Sequence, residues 1–177
     1  MASASGGYTI TEPDQIQARW NLPFPPDLTE LLHERRPLLR GQGSFNWLMS
    51  PPDAIQARLD WPFESFLFDV KHNGVWWPEW GDRPETPEGR HTALRCAFDT
   101  APRLIPLFGH RCLPAEPCLA GNPVLSVHQT DIVLCGRNLD DWLAGEDHRP
   151  QRPGSDSAPI REIRFWWDAL RYNDALP

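Results

Sequence analysis

The chain has 177 residues, about one domain's length and enough to build a hydrophobic core without disulfides or a structural metal. Its formal net charge of −7 argues against a nucleic-acid partner, because phosphate binding requires a basic face. No segment approaches the roughly eighteen apolar residues of a transmembrane helix, so we also expect no membrane partner.

The first residues, MASASGGYTITEP, lack the basic start and the apolar core of a signal peptide. We therefore expect a cytoplasmic protein whose four cysteines are reduced. The basic residues are sixteen arginines and one lysine, Lys71, so Schiff-base chemistry has a single candidate.

Composition divides the chain into four parts. Residues 1–12 are small and polar, which predicts a loose tail. A single α+β domain is predicted over residues 13–145. Residues 146–158 have the composition of a flexible linker, and residues 159–177 predict a C-terminal helix that packs back on the domain.

One motif occurs twice. PDQIQARWNLPF, residues 13–24, returns as PDAIQARLDWPF at residues 52–63, with eight of twelve positions identical. Solenoid repeats need about three units to bury their faces, and no third copy exists. Two interpretations remain open: two helix starts that meet the same local requirements, or an ancient duplication.

Further elements follow in chain order. Leu28, Leu31 and Leu32 form the apolar stripe of a helix that Pro37 ends. FNWLMS, residues 45–50, predicts a short strand. FESFLFDV, residues 63–70, predicts either a strand or a buried helical turn.

The second half predicts a helix, strands and two further helices. Thr86 is the expected N-cap of a helix whose first turn contains Pro87. Strands are expected at residues 104–111 and in PVLSVHQ and IVLC, with a loop at CLPAEPCLAGNP. Asn138 is the expected cap of LDDWLAGE, and the last helix is expected to run from Ile160.

Three tryptophans occur within five residues: Trp76, Trp77 and Trp80, with Glu79 between them and Asp82 and Arg83 just after them. Tryptophan is often a core residue, and core packing is one interpretation. A binding surface is the second. A glycosidase site is the third, because such enzymes need two carboxyl groups beside the sugar, but nothing in the sequence sets the geometry of these acids.

Two other groups of polar residues have little support as reactive sites. Ser126, His128 and Asp131 lack the G-x-S-x-G elbow of a serine hydrolase, and triad members normally come from distant segments. His110 and Cys112 do not have the paired spacing of a zinc site. We therefore predict no catalytic residue, no cofactor and no metal.

Much of the chain resembles the SUKH superfamily, which includes relatives of a yeast cell-wall-synthesis regulator. The resemblance lies in the order of several strings: FLFDVKHNGVWWPEWGDRP, APRLIPLFGHRCLPAEP, GNPVLSVHQTDIVLCG with NLDDWL, IRFWWDAL and the opening IQARWNLPFPPDLTELLHER. The positions that match the superfamily's typical strings are Trp77, Trp80, Gly81, Arg83, Pro106, His110, Arg111, Asn122, Pro123, Gln129 and Asp131.

The resemblance implies an α+β fold with a central, largely antiparallel sheet and helices packed on it. Many bacterial members of the superfamily are regarded as immunity proteins that neutralise toxins, and the superfamily has no agreed catalytic set. It therefore favours a non-catalytic protein that binds a protein partner, with a toxin domain as the expected partner.

The hypothesis for the contact surface combines the loop from Trp76 to Arg90 with polar residues of the predicted sheet near it. The candidate residues are Trp76, Trp77, Trp80, Asp82, Arg83, His110, Arg111, Gln129 and Asp131. Two alternatives remain: a hydrolase of carbohydrate or peptide that uses Glu79, Asp82 or His110, and a regulatory scaffold domain with another partner.

Overall fold

A computed structural model of the chain describes residues 8–34, 45–145 and 159–175. The predicted linker, residues 146–158, lies outside the described residues, as do residues 1–7 of the predicted tail.

In the described part of the chain, four helices come before the strands and two come after them. The four strands follow one another without an intervening helix. The helices are α1 (Glu12–Trp20), α2 (Pro26–Glu34), α3 (Pro52–Phe68), α4 (Pro87–Asp99), α5 (Leu139–Ala144) and α6 (Trp166–Ala175). The strands are β1 (Leu104–Phe108), β2 (Arg111–Pro114), β3 (Val124–His128) and β4 (Asp131–Gly136). A π turn follows α3 at Asp69–Asn73, and a 3₁₀ turn lies at Pro78–Trp80.

The four strands form one antiparallel sheet in sequence order, β1-β2-β3-β4. This arrangement confirms the predicted α+β class. The predicted strand at residues 104–111 is interrupted by a tight turn at Gly109 and His110, and β2 continues into the predicted loop as far as Pro114. The predicted strands of the second hairpin are confirmed as β3 and β4.

The sheet is covered on both faces. Consecutive strand residues alternate between two hydrophobic clusters: Leu104 lies in one and Ile105 in the other, and Cys112 and Leu113 divide in the same way. One face packs against α1, α2 and α5, and the other packs against the end of α3, α4 and α6. The domain therefore has three layers, with helices on either side of a central sheet.

The expected loose tail ends earlier than residue 12. The backbone N–H of Tyr8 donates to the carbonyl of Leu32, and the Tyr8 hydroxyl accepts from the N–H of Trp47 at 3.3 Å. The Tyr8 ring also packs against the cluster around α1 and α2. These contacts attach the chain from Tyr8 onward, which corrects the prediction.

The predicted strand at residues 45–50 is wrong. The side-chain oxygen of Asn46 accepts from the N–H groups of Leu48 and Met49, both at 3.0 Å, and Ser50 N–H donates to the Asn46 carbonyl. Asparagine often replaces strand pairing with such local bonds, so this segment turns.

The ambiguous segment at residues 63–70 is helical. Phe63, Phe66, Leu67 and Val70 are all buried, and their spacing of three, four and seven residues is that of one helical face. The helix passes through Pro62, whose carbonyl accepts a bond from the Ser65 hydroxyl at 3.0 Å. Burial of this face thus outweighs the proline, which alone would end or kink a helix.

The C-terminal segment packs back on the sheet, with Ile163, Trp166 and Ala169 buried in the second cluster. Its helix begins at Trp166, six residues later than Ile160. Phe165, just before the helix, adopts a left-handed φ of 70°. A side chain of this kind rarely occupies that region, so packing must hold it there.

Candidate functional site

The tryptophan loop is held at both ends by ordered backbone. Gly74 ends the π turn with φ 71°, and Gly81 ends the 3₁₀ turn with φ 80°. Thr86 then caps α4, as predicted, because its hydroxyl accepts from the N–H of Gly89 at 3.0 Å. Residues 75–83, which we call the tryptophan loop, lie between these points, and the burial of Trp77 and the hydrogen bond from Trp76 to Gly81 hold the loop in position.

Trp77 is a core residue and not part of an exposed surface, which corrects its place in the hypothesis. It is only 3% exposed, and its ring contacts Phe66 edge-on at a centroid distance of 5.2 Å. Trp80 and Tyr172 contact the same ring at 4.6 Å and 5.3 Å. Core packing is thus the correct interpretation for this one of the three tryptophans.

Trp76 and Trp80 are half-buried, and Trp80 packs against Trp77. Their rings meet edge-to-face at 5.4 Å, and the indole Nε1–H of Trp76 donates to the carbonyl of Gly81 at 2.8 Å. Asp82 and Arg83 follow in the chain and are exposed. We call these four residues, Trp76, Trp80, Asp82 and Arg83, the aromatic surface.

The other candidate residues lie at one end of the sheet, in its two hairpin turns. His110 belongs to the β1–β2 turn and Gln129 to the β3–β4 turn, where it has a left-handed φ of 58°. Arg111 begins β2, and Asp131, which is exposed, begins β4. We call these four residues the sheet-end group.

The aromatic surface and the sheet-end group, the two parts of the hypothesised surface, do not contact each other in the described part of the chain. Within residues 8–34, 45–145 and 159–175, no hydrogen bond or ring contact joins the aromatic surface to the sheet-end group. Proximity between them was part of the sequence hypothesis, and the structure provides no contact to support it.

Two members of the sheet-end group, His110 and Arg111, lie in a cluster of basic side chains that also includes His128 and Arg58. The rings of His110, in the β1–β2 turn, and His128, at the end of β3, lie 4.8 Å apart and nearly perpendicular. Arg58, from α3, donates to the carbonyl of Gly109 in the same turn. Burial lowers the pKa of His110, and the charges of His128, Arg58 and Arg111 lower it further. His110 therefore favours its neutral form.

Two buried nitrogen atoms in this group have no hydrogen-bond partner among the described residues: Nδ1 of His110 and Nε of Arg111. Arg111 also lies near the thiol of Cys135, whose pKa is raised by burial and lowered less by the guanidinium. Burial raises the pKa of Cys112 to about 12. Both thiols are thus poor nucleophiles, since the thiolate is the reactive form.

Sequence reasoning missed Asp69, a buried carboxylate that ties the end of α3 to the sheet. One carboxylate oxygen accepts from both the N–H and the hydroxyl of Thr130, at 2.9 Å and 2.6 Å, and the other accepts from the Asn73 amide at 2.5 Å. An aspartate between the apolar residues Phe68 and Val70, in FESFLFDV, was the available signal. Its role is positional, because it orients the β3–β4 turn.

Comparison with known proteins found no match among protein-family models, curated proteins or solved structures. In the described part of the chain, no group of three or more His, Cys, Asp or Glu side chains is arranged to hold a metal ion. None of the described helices has the length and apolar character needed to cross a bilayer. The geometry of the aromatic surface is therefore the main indication of function.

Proposed function

We propose that this chain is a non-catalytic binding protein of the SUKH immunity type, which attaches to a protein partner, a toxin domain, through the aromatic surface. The observation that carries the proposal is the pair of half-buried tryptophans, Trp76 and Trp80, on a fixed loop with exposed charges beside them.

Preorganisation makes this pair suitable as an anchor. Trp80 rests on the buried Trp77 at 4.6 Å, and Trp76 is held by its bond to Gly81. Neither ring has to be immobilised again when a partner binds, so less conformational entropy is lost. Tryptophan and arginine are also the residue types most enriched among the energetically dominant residues of interfaces.

Charge supports a basic partner. The chain carries a net charge of −7, and toxins that cut nucleic acids need basic active sites. Complementary charge accelerates association and rejects wrong partners more than it adds affinity. An acidic immunity-type protein is consistent with this requirement.

The arrangement of the acids favours binding over hydrolysis. Glu79 and Asp82 lie on one short loop and are both exposed to water. A glycosidase needs two carboxyl groups on opposite sides of its substrate, one of them in an environment that keeps it protonated. Both acids lie on the same exposed loop, which does not place them on opposite sides of a substrate.

The proposal is tested with the product of the gene adjacent to the one that encodes this chain. The two proteins are co-expressed, and their affinity is measured by calorimetry for the wild type and for Trp80→Ala and Asp82→Lys. We expect Trp80→Ala to weaken binding about thirtyfold, the effect of losing an anchor residue worth about 2 kcal/mol.

Trp61→Ala and Asp53→Lys are the matched controls, because Trp61 is 40% exposed and Asp53 is exposed, and both belong to α3 and not to the aromatic surface. Circular dichroism checks that every variant is folded. Equal affinity of Trp80→Ala and Trp61→Ala would reject the aromatic surface. If the neighbouring product does not bind at all, the regulatory scaffold becomes the better interpretation.

A further inference from the structure

A small cleft lies beside the aromatic surface, between the 3₁₀ turn, the end of α4 and the start of α6. It has a volume of about 140 Å³ and is open to solvent. Trp77, Trp80 and Phe165 provide its aromatic walls. Glu79, Arg164 and Asp168 are its charged residues, and all three are exposed.

The aromatic walls are rigid. Phe165 contacts Phe98 at 5.0 Å and Trp166 at 4.9 Å, both close to edge-on, and these contacts hold its backbone in the left-handed region. Trp77 links the two sides of the cleft, because it contacts Phe165 at 6.3 Å and Trp80 at 4.6 Å. The cleft is therefore preformed and does not require rearrangement.

We infer that this cleft receives one cationic side chain, an arginine or a lysine, from the protein partner. The inference rests on the proposed function and specifies the chemistry of the contact. Aromatic faces attract a cation through their quadrupole, and the attraction is greatest where water is partly excluded. Carboxylates beside such faces pair with the same charge.

The balance of charge at the cleft supports a cation and not an anion. Glu79 and Asp168 contribute two negative charges, whereas Arg164 contributes one positive charge. One carboxylate charge therefore remains for a guanidinium or ammonium from outside. The volume accommodates a single side chain and excludes a folded element, so the cleft would select one residue of the partner.

The probe for this inference is N-acetyl-arginine amide, with N-acetyl-citrulline amide as its neutral control of nearly the same shape. Each is titrated into the full ¹⁵N-labelled chain, and the indole N–H signals of Trp77 and Trp80 are followed by NMR. We expect saturable shifts with the arginine compound in the millimolar range, which is typical of a single-side-chain ligand. The citrulline compound is expected to shift them little.

Glu79→Gln and Asp168→Asn are each expected to lower the affinity for the arginine compound by about threefold to tenfold, because each removes one negative charge from the cleft. Asp53→Asn and Glu88→Gln are the matched controls, since both residues are exposed and neither lines the cleft. Equal binding of the two compounds, no saturable shift with either, or no effect of the cleft variants would each overturn the inference.

The inference and the proposed function fail in different ways. If Trp80→Ala weakens the partner but Glu79→Gln with Asp168→Asn does not, the aromatic surface stands and the cationic contact is wrong. If Trp80→Ala leaves the affinity for the partner unchanged, the proposed surface is wrong. The arginine titration then still tests the chemistry of the cleft.

Discussion

At the scale of single residues, the two copies of the twelve-residue motif diverge in structure at Asn21 and at the equivalent Asp60. In the first copy Asn21 adopts a left-handed φ of 46° and ends α1. Asp60 occupies the equivalent place in the second copy, but it accepts from the Gln56 amide at 2.9 Å and remains helical. Asparagine and aspartate can both reach the left-handed region, so the contacts around each copy, and not the residue type alone, decide where the helix ends. Both copies start helices, as predicted, while their ends differ.

Asn21 is therefore expected to be sensitive to the shape of its side chain. Asn21→Val should lower the free energy of unfolding by about 1 kcal/mol, because a β-branched residue is strained at positive φ. Asn21→Gly should change it by only a few tenths of a kcal/mol, since glycine is the usual residue at this position. Urea denaturation of the two variants provides the comparison, and equal losses would contradict the left-handed cap.

His110 makes stability depend on pH. Its pKa is lowered in the folded state, so below about pH 6.5 the unfolded chain binds the proton more readily, and acid favours unfolding. The charged groups that face it are His128, Arg58 and Arg111. The stability contributed by neutral His110 is thus present at neutral pH and is lost as pH falls.

We expect the urea concentration at the unfolding midpoint to fall less for His110→Gln than for the wild type when the pH is lowered from about 7.5 to about 5.5. His72→Gln is the control, because His72 is exposed and lies outside the sheet-end group. If the two variants respond to pH in the same way as each other, the assignment to His110 is incorrect.

At the scale of elements, caps and alternating strands could be predicted because their signals are local. Thr86 and Asn138 each accept the N–H three residues later, as their sequence context indicated. In strand β3, buried and more exposed residues alternate from Leu125 to His128. By contrast, the helix through Pro62 depends on burial against distant partners, which no local pattern contains.

The join between β4 and α5 depends on a glycine. A Cβ added to Gly136 would lie 2.6 Å from Cβ and 2.7 Å from the backbone nitrogen of Trp142. Gly136→Ala should therefore push α5 away from the sheet, at a cost of about 3 kcal/mol and about 9 °C in melting temperature.

Gly74→Ala is the comparison for that variant, because a Cβ there meets no atom within 4 Å and only the φ of 71° is unfavourable. Its cost should be about 1 kcal/mol. Calorimetric melting of both proteins measures the difference. A melting temperature for Gly136→Ala at or above that of Gly74→Ala would contradict the close approach of strand and helix.

At the scale of the whole molecule, the fold class could be predicted, but the layers could not. The antiparallel sheet follows from contiguous strands with short turns. Which helices cover which face is decided by long-range packing, such as that of Ile105 and Leu104 on opposite sides. The order of elements along the chain contains no comparable signal.

The candidate site was only partly accessible from sequence for the same reason. The grouping of the tryptophans was visible, but the burial of Trp77 beneath Trp80 depends on Phe66 and Tyr172, from distant segments. Arg58 and Asp69 reach the hairpin turns from α3 and from the π turn after it, across 51 and 61 residues of sequence. Contacts of that range cannot be predicted from neighbouring residues.

The most direct test of the account is hydrogen exchange of this chain, free and bound to the neighbouring gene's product. We expect binding to slow exchange in the tryptophan loop, residues 75–83, and at the start of α6, where the cleft residues Arg164 and Asp168 lie. The outer faces of α1 and α2, on the opposite side of the sheet, should exchange as before. Protection confined to that opposite side would contradict the aromatic surface as the place where the partner binds.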